Sequence, residues 1–444
     1  MVILQPALRF PATGTFPASV DREQGYLPYG PERHLLVRKE NKNVVRGGAD
    51  ASAIACPVEE EDVTRCQEAG SGAWRVGVLF SQSGVMAVIE ETQVRATLLA
   101  IDEINQSGGV NGLELIPIIY DPHSDAQTYA LCAKRLMIED GVTMIFGCYT
   151  SSSRKAVLPV VERLNGLLWY PTLYEGFECS PNVIYTGAAP NQNSVTLCSY
   201  LTKAYGSRFY FIGSDYIYPR ESNRLMRDLL RSRGCTVAGE TYLDLRANRS
   251  DFGPVIRQIR DAGADVIFST VVGYSTVYLY QAFADAGLDP RVTPIASLTT
   301  TESEVRAMGL DVAAGHITAA PYFQSVGGER NDSFVRRYNA RYGADEPTNM
   351  CAEAAYFQVH LFANTLARTN SMETDLIKQG VLGTDFDAPQ GRISISTATS
   401  HTNLWSRIGR VDRRGQFEIM QQSASPVWAD PFLIGRGDAS AVHP

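Results

Sequence analysis

From Trp74 onward, short apolar runs alternate with longer stretches of helical periodicity, and each apolar run stops at a polar turn. Val76–Phe80, Leu113–Tyr120, Thr143–Cys148 and Leu167–Thr172 read as strands, separated by helices at Glu90–Asn105, Ala126–Glu139 and from Ser151 onward. Val94, Leu98 and Ile101 share one face of the first helix, and Leu131 and Leu136 are expected to face inward on the second. Pro159 is expected to bend the third. A second series places strands at Phe209–Gly213, Val237–Leu245, Asp265–Val272, Thr293–Leu298 and His316–Tyr322. Its helices fall at Phe252–Ala262 and near Val277–Ala286, with later ones at Ser333–Tyr342 and Glu353–Arg368. From Arg392 the pattern turns antiparallel around the turn Asp412–Gly415. Strand–helix alternation in two blocks implies an α/β chain of two doubly wound domains. Such sheets take ligands at the carboxyl ends of their strands. The polar turns Ser81–Gly84, Tyr149–Ser153, Tyr170–Tyr174, Asp215–Tyr218 and Leu298–Thr301 all fall there, which suggests a cleft between two lobes closing on a small molecule.

The chain's 444 residues exceed the roughly 250–300 at which a single core stops growing, so more than one domain is expected. Residues 1–73 carry six prolines and the acidic run Glu59–Asp62 without sustained periodicity, and are expected to form a disordered extension. One lobe is expected over 74–190 plus about 326–372 and the other over 191–325 plus about 373–431, leaving 432–444 as a tail. A net charge of -8 argues against a nucleic-acid-binding surface, and no apolar run approaches the ~20 residues that span a bilayer. Gln5, Pro6 and Arg9 interrupt the apolar residues of Met1–Phe10, so no secretory core is formed and a cytoplasmic location is expected. A different start site would make the periplasm the alternative.

Catalytic motifs are missing. There is no GxSxG elbow, Walker A loop, HExxH or GxGxxG after a strand, and the six histidines are widely separated. The eight cysteines form no CxxC pair, and Cys148, beside the proposed pocket, reads as buried packing. No enzyme activity, metal or cofactor is expected. Ser151, Ser152 and Ser153 sit where a helix begins, with Ser151 the candidate cap, so hydroxyls and unpaired backbone N–H groups converge there. With no evident cationic partner nearby, this cradle suits a neutral carbonyl better than a phosphate. Tyr149, Tyr170, Tyr174 and Tyr216, at the strand ends, need partners for their hydroxyls if buried.

Four segments carry a specific resemblance: Gly147-Cys148-Tyr149-Thr150-Ser151-Ser152-Ser153-Arg154-Lys155-Ala156-Val157, Tyr170-Pro171-Thr172-Leu173-Tyr174-Glu175-Gly176, Pro190-Asn191-Gln192-Asn193 and Gly213-Ser214-Asp215-Tyr216-Ile217-Tyr218-Pro219-Arg220-Glu221. With Asp387-Ala388-Pro389-Gln390-Gly391, the chain from about Arg75 to Pro431 resembles the amide- and urea-binding branch of type 1 periplasmic binding proteins. That branch includes the amide sensor that regulates amidase expression and the binding proteins of urea and short-chain-amide ABC transporters. Tyr149, Thr172, Ser269-Thr270-Val271-Val272-Gly273 and Ile295-Ala296-Ser297-Leu298-Thr299-Thr300 resemble the sensor. Gly166-Leu167-Leu168-Trp169 and Thr186-Gly187-Ala188-Ala189 are closer to the transporter type, and Leu173 stands where the sensor commonly has Pro.

The resemblance implies a two-lobed clamshell with hinge crossovers and a non-enzymatic receptor for small amides or urea. An amide sensor is the leading expectation; the alternative is the substrate-binding protein of a urea, short-chain-amide or branched-chain amino-acid ABC transporter. The implied ligand-binding residues are Tyr149, Ser151, Tyr170, Thr172, Tyr216 and Thr299. Ser151 would donate to the ligand carbonyl, Thr172 and Thr299 or their backbone carbonyls would take the amide N–H groups, and the tyrosines would enclose the ligand. Implied partners are a regulatory RNA-binding antiterminator protein or an ABC permease, with a homodimer left open. An amino-acid ligand would instead need a carboxylate for its ammonium group, for which Asp215, Glu175 and Glu302 are candidates.

Overall fold

The computed structural model describes residues 72–434. The readings for Met1–Phe10 and Glu59–Asp62, and nearly all of those for 1–73 and 432–444, lie outside the described residues. Strands β1 (Ala73–Leu79), β2 (Glu114–Tyr120), β3 (Met144–Gly147), β4 (Leu167–Tyr170) and β5 (Val183–Tyr185) form a parallel sheet in the order β2-β1-β3-β4-β5. β3, β4 and β5 are buried at every residue, as expected of a sheet covered on both faces. Strands β6 (Arg208–Ser214), β7 (Thr236–Leu243), β8 (Val266–Thr270), β9 (Ile295–Ser297) and β10 (Ile317–Ala320) repeat that order as β7-β6-β8-β9-β10. A small antiparallel sheet follows, from β11 (Asp385–Ala388), β12 (Gly391–Ile395) and β13 (Thr402–Asn403). The hairpin β14 (Arg407–Val411) and β15 (Phe417–Gln422) then extends the second sheet, β14 pairing antiparallel with β10. The result is a two-domain α/β fold whose sheets share one doubly wound order.

The helices follow their patterns with instructive exceptions. Val94, Leu98 and Ile101 are buried on the helix Ala87–Gln106, whose face packs against the helix Met350–Thr369. On the helix Ala126–Ile138, Leu136 is buried but Leu131 is 62% exposed, contrary to expectation. Five residues turn about 140° around a helix of 3.6 residues per turn, so the two cannot share a stripe. Tyr129, Cys132, Ala133 and Leu136 do share one. The helix Ser151–Arg163 continues through Pro159, which faces solvent, so the carbonyl it leaves without a donor is not buried by it. The strand β5 and the helices Pro190–Ala204, Glu302–Met308 and Thr374–Val381 carry too few residues, or too weak a period, to have been singled out.

The chain passes between the sheets after β5, after β10 and between β13 and β14. The helix Thr374–Val381 packs on Met350–Thr369, and His401 bridges in parallel to Tyr185 at the end of β5. From these contacts we propose that the last lobe boundary lies between β13 and β14 rather than near residue 373.

Several carboxyl groups are buried around this junction and in the first lobe. Glu302 accepts from the Gln324 N–H (2.7 Å), Glu304 from the Thr301 N–H (2.9 Å), Glu353 from the Gln390 side chain (2.8 Å) and Glu90 from the Ser81 N–H (2.6 Å). Asn349 Nδ2 contacts both Thr92 and Ser303 at 3.0 Å, tying the two lobes' helices together. Burial pushes Glu90, Glu302 and Glu353 up to about 8 and Glu304 up to about 7, from 4.5. The fold therefore retains protons that the unfolded chain has already released, and the stability this provides is lost as pH rises through 7–8. Burial of His316 and His401 lowers them to about 3 and about 4, and their opposite contribution is nearly complete by pH 7. The melting temperature is expected to be lower at pH 8.5 than at pH 7; a flat or rising profile in a thermal scan would contradict these assignments.

Candidate functional site

One cavity lies between the carboxyl ends of the two sheets. It is lined by Tyr149, Ser151, Thr172 and Leu173 from the first lobe and by Tyr216, Tyr218, Val272 and Thr299 from the second. Tyr149 and Ser151 follow β3, and Thr172 and Leu173 follow β4. Tyr216 and Tyr218 follow β6, Val272 follows β8 and Thr299 follows β9. Doubly wound sheets open a crevice at such strand ends.

Each wall is fixed locally. Cys148, between β3 and the helix start, is held at φ 70, a left-handed conformation that costs energy for any residue but Gly, and its N–H bonds Leu79 O at 3.0 Å. This turn presents Tyr149 and Ser151 to the cavity. Thr150, not Ser151, caps the helix, its Oγ1 accepting from the Ser153 N–H at 3.0 Å. Ser151 is the first helical residue, so its own N–H and that of Ser152 have no intrahelical partner. Thr172 Oγ1 accepts from Gln93 Nε2 at 3.2 Å. Thr299 Oγ1 donates to Val271 O at 2.9 Å. At Gly187, an added Cβ would lie 2.0 Å from Thr172 C, so the segment that follows β5 presses directly on the backbone of the β4 turn.

Of the residues expected from the sequence, Tyr149, Ser151, Thr172, Tyr216 and Thr299 line this one cavity. Tyr170 does not. It is fully buried behind the wall, donates to Tyr149 O at 2.8 Å, and lies under the Arg154 guanidinium at 4.8 Å. Leu173 and Tyr218 fall within the polar turns expected at the strand ends but are not among the implied ligand-binding residues, and Val272 enters only through the segment Ser269–Gly273. The Tyr218 hydroxyl is buried without a hydrogen-bond partner; Ser222, one turn on, influences it without reaching bonding geometry.

The expectation that Ser151 donates to a ligand carbonyl does not match its bonding. Its hydroxyl donates to Glu175 Oε2 and receives Arg154 Nη1 at 3.2 Å. Nor is the site without a nearby cation. Arg154 is fully buried between the Tyr170 and Tyr174 rings, at 4.8 and 4.7 Å, but it is neutralised by Glu175 (3.1 Å) and Glu178 (2.7 Å). Glu178 also takes Lys155 at 2.9 Å, and Arg154 with Lys155 holds its carboxyl down at about 2 against the opposing effect of burial. Tyr174 continues the layer, its hydroxyl 2.6 Å from His401 Nε2, and the Tyr185 ring stacks on His401 at 4.1 Å.

The cavity lining contains no charged side chain, and burial pushes the Tyr149, Tyr216 and Tyr218 phenols up, keeping them neutral. The carboxylates considered for an ammonium group are engaged elsewhere: Asp215 with Arg220 at 2.7 Å, Glu302 with Gln324, and Glu175 with Arg154. The cavity is small, about 10 Å³, at the lower bound for seating a single water molecule. No cluster of His, Cys, Asp and Glu suited to a metal ion occurs among the described residues.

The periplasmic binding protein domain profile matches residues 74–436, and the chain belongs to this family. Leu/Ile/Val-binding protein homolog 6 of Brucella melitensis is 24% identical over 337 residues, covering 74% of this chain and 84% of that protein. The leucine-, isoleucine-, valine-, threonine- and alanine-binding protein of Pseudomonas aeruginosa is 22% identical over 316 residues, covering 70% and 82%. Among solved structures, a solute-binding protein of an ABC transporter from Rhodopseudomonas palustris, in complex with 3,4-dihydroxybenzoic acid, aligns with a TM-score of 0.73. It is 20% identical and covers 81% of this chain and 99% of that one, a likeness of fold. The chain is thus a ligand-binding protein of the periplasmic-binding type, and no described helix is long and apolar enough to cross a membrane.

Two contrasts follow from this geometry. Tyr218→Phe removes an unpartnered hydroxyl and is expected to leave the melting temperature unchanged or raised, whereas Tyr170→Phe breaks a buried bond at a cost of about 1–2 kcal/mol. Gly187→Ala is expected to destabilise by about 1–3 kcal/mol through overlap with the Thr172 backbone. Denaturant unfolding of the three variants checks both.

Proposed function

We propose that this protein is the solute-capture subunit of an ABC importer for a small uncharged amide-type solute, urea or a short aliphatic amide. The observation that carries this reading is the uncharged lining of the interlobe cavity, joined to its small size. An amino acid brings an ammonium and a carboxylate, and a hydroxybenzoate brings a carboxylate; desolvating such groups without a fixed counter-charge costs several kcal/mol. A neutral amide brings only donors and acceptors, which Ser151, Thr172, Thr299 and the first N–H groups of the helix Ser151–Arg163 are suited to meet. The motifs shared with the amide- and urea-binding branch point the same way.

A sensor controlling amidase expression would use the same pocket. The structural relative named above is a transporter subunit, which favours capture for a permease over partnership with an antiterminator. This role places the domain outside the cytoplasmic membrane. Isothermal titration of the purified protein with urea, acetamide, leucine and 4-hydroxybenzoate tests the reading. Heat with urea or acetamide, and none with leucine or 4-hydroxybenzoate, is expected. Binding of leucine or 4-hydroxybenzoate alone would replace this reading with a charged ligand of the amino-acid or aromatic-acid class.

A further inference from the structure

The directions of the hydrogen bonds around the cavity say more about the solute than its volume does. A hydroxyl has one proton to give and two lone pairs to offer. The Thr299 proton goes to Val271 O at 2.9 Å, and that of Thr172 is directed to Cys148 O at 3.5 Å, while Gln93 occupies one of the Thr172 lone pairs. The Ser151 proton goes to Glu175 Oε2, and Arg154 Nη1 occupies one Ser151 lone pair at 3.2 Å. Ser151 and Thr299 therefore have only a lone pair left for the cavity, whereas the Thr172 proton is loosely held. Glu175 is 4% exposed and cannot rotate freely, because Arg154 Nη2 grips its other oxygen, Oε1, at 3.1 Å. Arg154 is itself locked between two tyrosine rings.

We propose that Glu175, held by Arg154, is a positioning residue that turns Ser151 into a hydrogen-bond acceptor toward the cavity. It thereby makes the pocket selective for neutral solutes rich in N–H donors, urea ahead of short monoamides, and hostile to carboxylates. The inference rests on the small-amide reading above and specifies it. A carboxylate ligand offers only acceptors, so beyond the helix-start N–H groups it would face the lone pairs of Ser151 and Thr299. Urea presents N–H groups on two sides and keeps one carbonyl for the free N–H groups of the helix start. The charges behind Ser151 give no compensating attraction to an anion, since Arg154 and Lys155 are matched by Glu175 and Glu178.

Glu175→Gln isolates the effect. Arg154 Nη2 favours an oxygen opposite it, so the Gln carboxamide is held with its nitrogen toward Ser151. The amide then donates to Ser151, and the Ser151 proton is released toward the cavity. Urea affinity is expected to fall about tenfold, the usual weight of one hydrogen bond, while acetate binding is unchanged or gains. A merely structural loss would weaken both ligands equally. Ser151→Ala removes the acceptor outright: urea affinity falls by at least as much, and adding Glu175→Gln to it costs no more than about twofold, because the two act as one unit.

Titration of the wild type and the three variants with urea, acetamide and acetate, with thermal unfolding alongside, completes the test. If the wild type binds urea but Glu175→Gln leaves the urea-to-acetate ratio unchanged, or the two substitutions are additive, the positioning role is overturned and the small-amide reading stands. If the wild type binds neither urea nor acetamide, both fall. Should Glu175→Gln not fold, a tenfold loss of urea affinity in Ser151→Ala sustains the proposal and an unchanged affinity overturns it.

Discussion

The site depends on burying Arg154. A guanidinium removed from water is costly unless its donors are met in good geometry, and breaking such an arrangement leaves an uncompensated charge inside the protein. Here every element around it contributes. Ser151 comes from its own helix, the Tyr170 ring from the end of β4, and Tyr174, Glu175 and Glu178 from the loop that follows. The ion therefore joins the start of one helix to the end of the neighbouring strand. The cavity wall lies directly on that joint: Ser151 touches the ion, and Tyr170 anchors the backbone of Tyr149. Charge is brought close to the ligand region and then cancelled before it reaches it.

The second constraint is topological. Both sheets run in the same order, and each lobe contributes its strand ends to one crevice. The polar surface of the cavity thus comes from short turns whose geometry is set by the parallel core beneath them. The left-handed Cys148 and the absence of a side chain at Gly187 are where that core and the turns meet most tightly. Neither position has room for compromise, and strain of this kind persists only where the surroundings over-determine the conformation.

Much of this was legible in the sequence because parallel strands announce themselves as apolar runs that end abruptly. Five of the eight cavity-lining residues were singled out on that basis and on resemblance. The misses have physical causes. Leu131 and Leu136 are both apolar, but the helical angle between them keeps only Leu136 in the core. Tyr170, aromatic and at a strand end, is expected in the wall, but its ring lies against Arg154. The expectation that Ser151 donates outward takes no account of what lies behind its hydroxyl, where Glu175 accepts the proton. Arg154 is three residues away on a helix and thus visible, but Glu175, 21 residues from Arg154, reaches it only through the fold. Glu175, a candidate partner for a ligand ammonium, is instead engaged with Ser151 and Arg154.

The lobes also meet outside the cavity, and these contacts bear on selectivity. Tyr274 N–H bonds Val85 O at 3.2 Å, beside Gly273, where a Cβ would lie 2.4 Å from that same oxygen. Arg224 of the second lobe covers the Phe177 ring of the first at 5.5 Å, and Asn349 joins Thr92 to Ser303. All of these require the lobes to approach to a fixed distance. A solute that holds the lobes apart forfeits them, whatever its own contacts, and a ligand shifts a conformational equilibrium only by its differential affinity for the two states. Cavity size and hydrogen-bond pattern are therefore not independent filters. The first decides whether Tyr216, Tyr218 and Thr299 can come down onto the solute at all. The second decides whether, once they have, the hydroxyls around it find donors or confront another set of lone pairs.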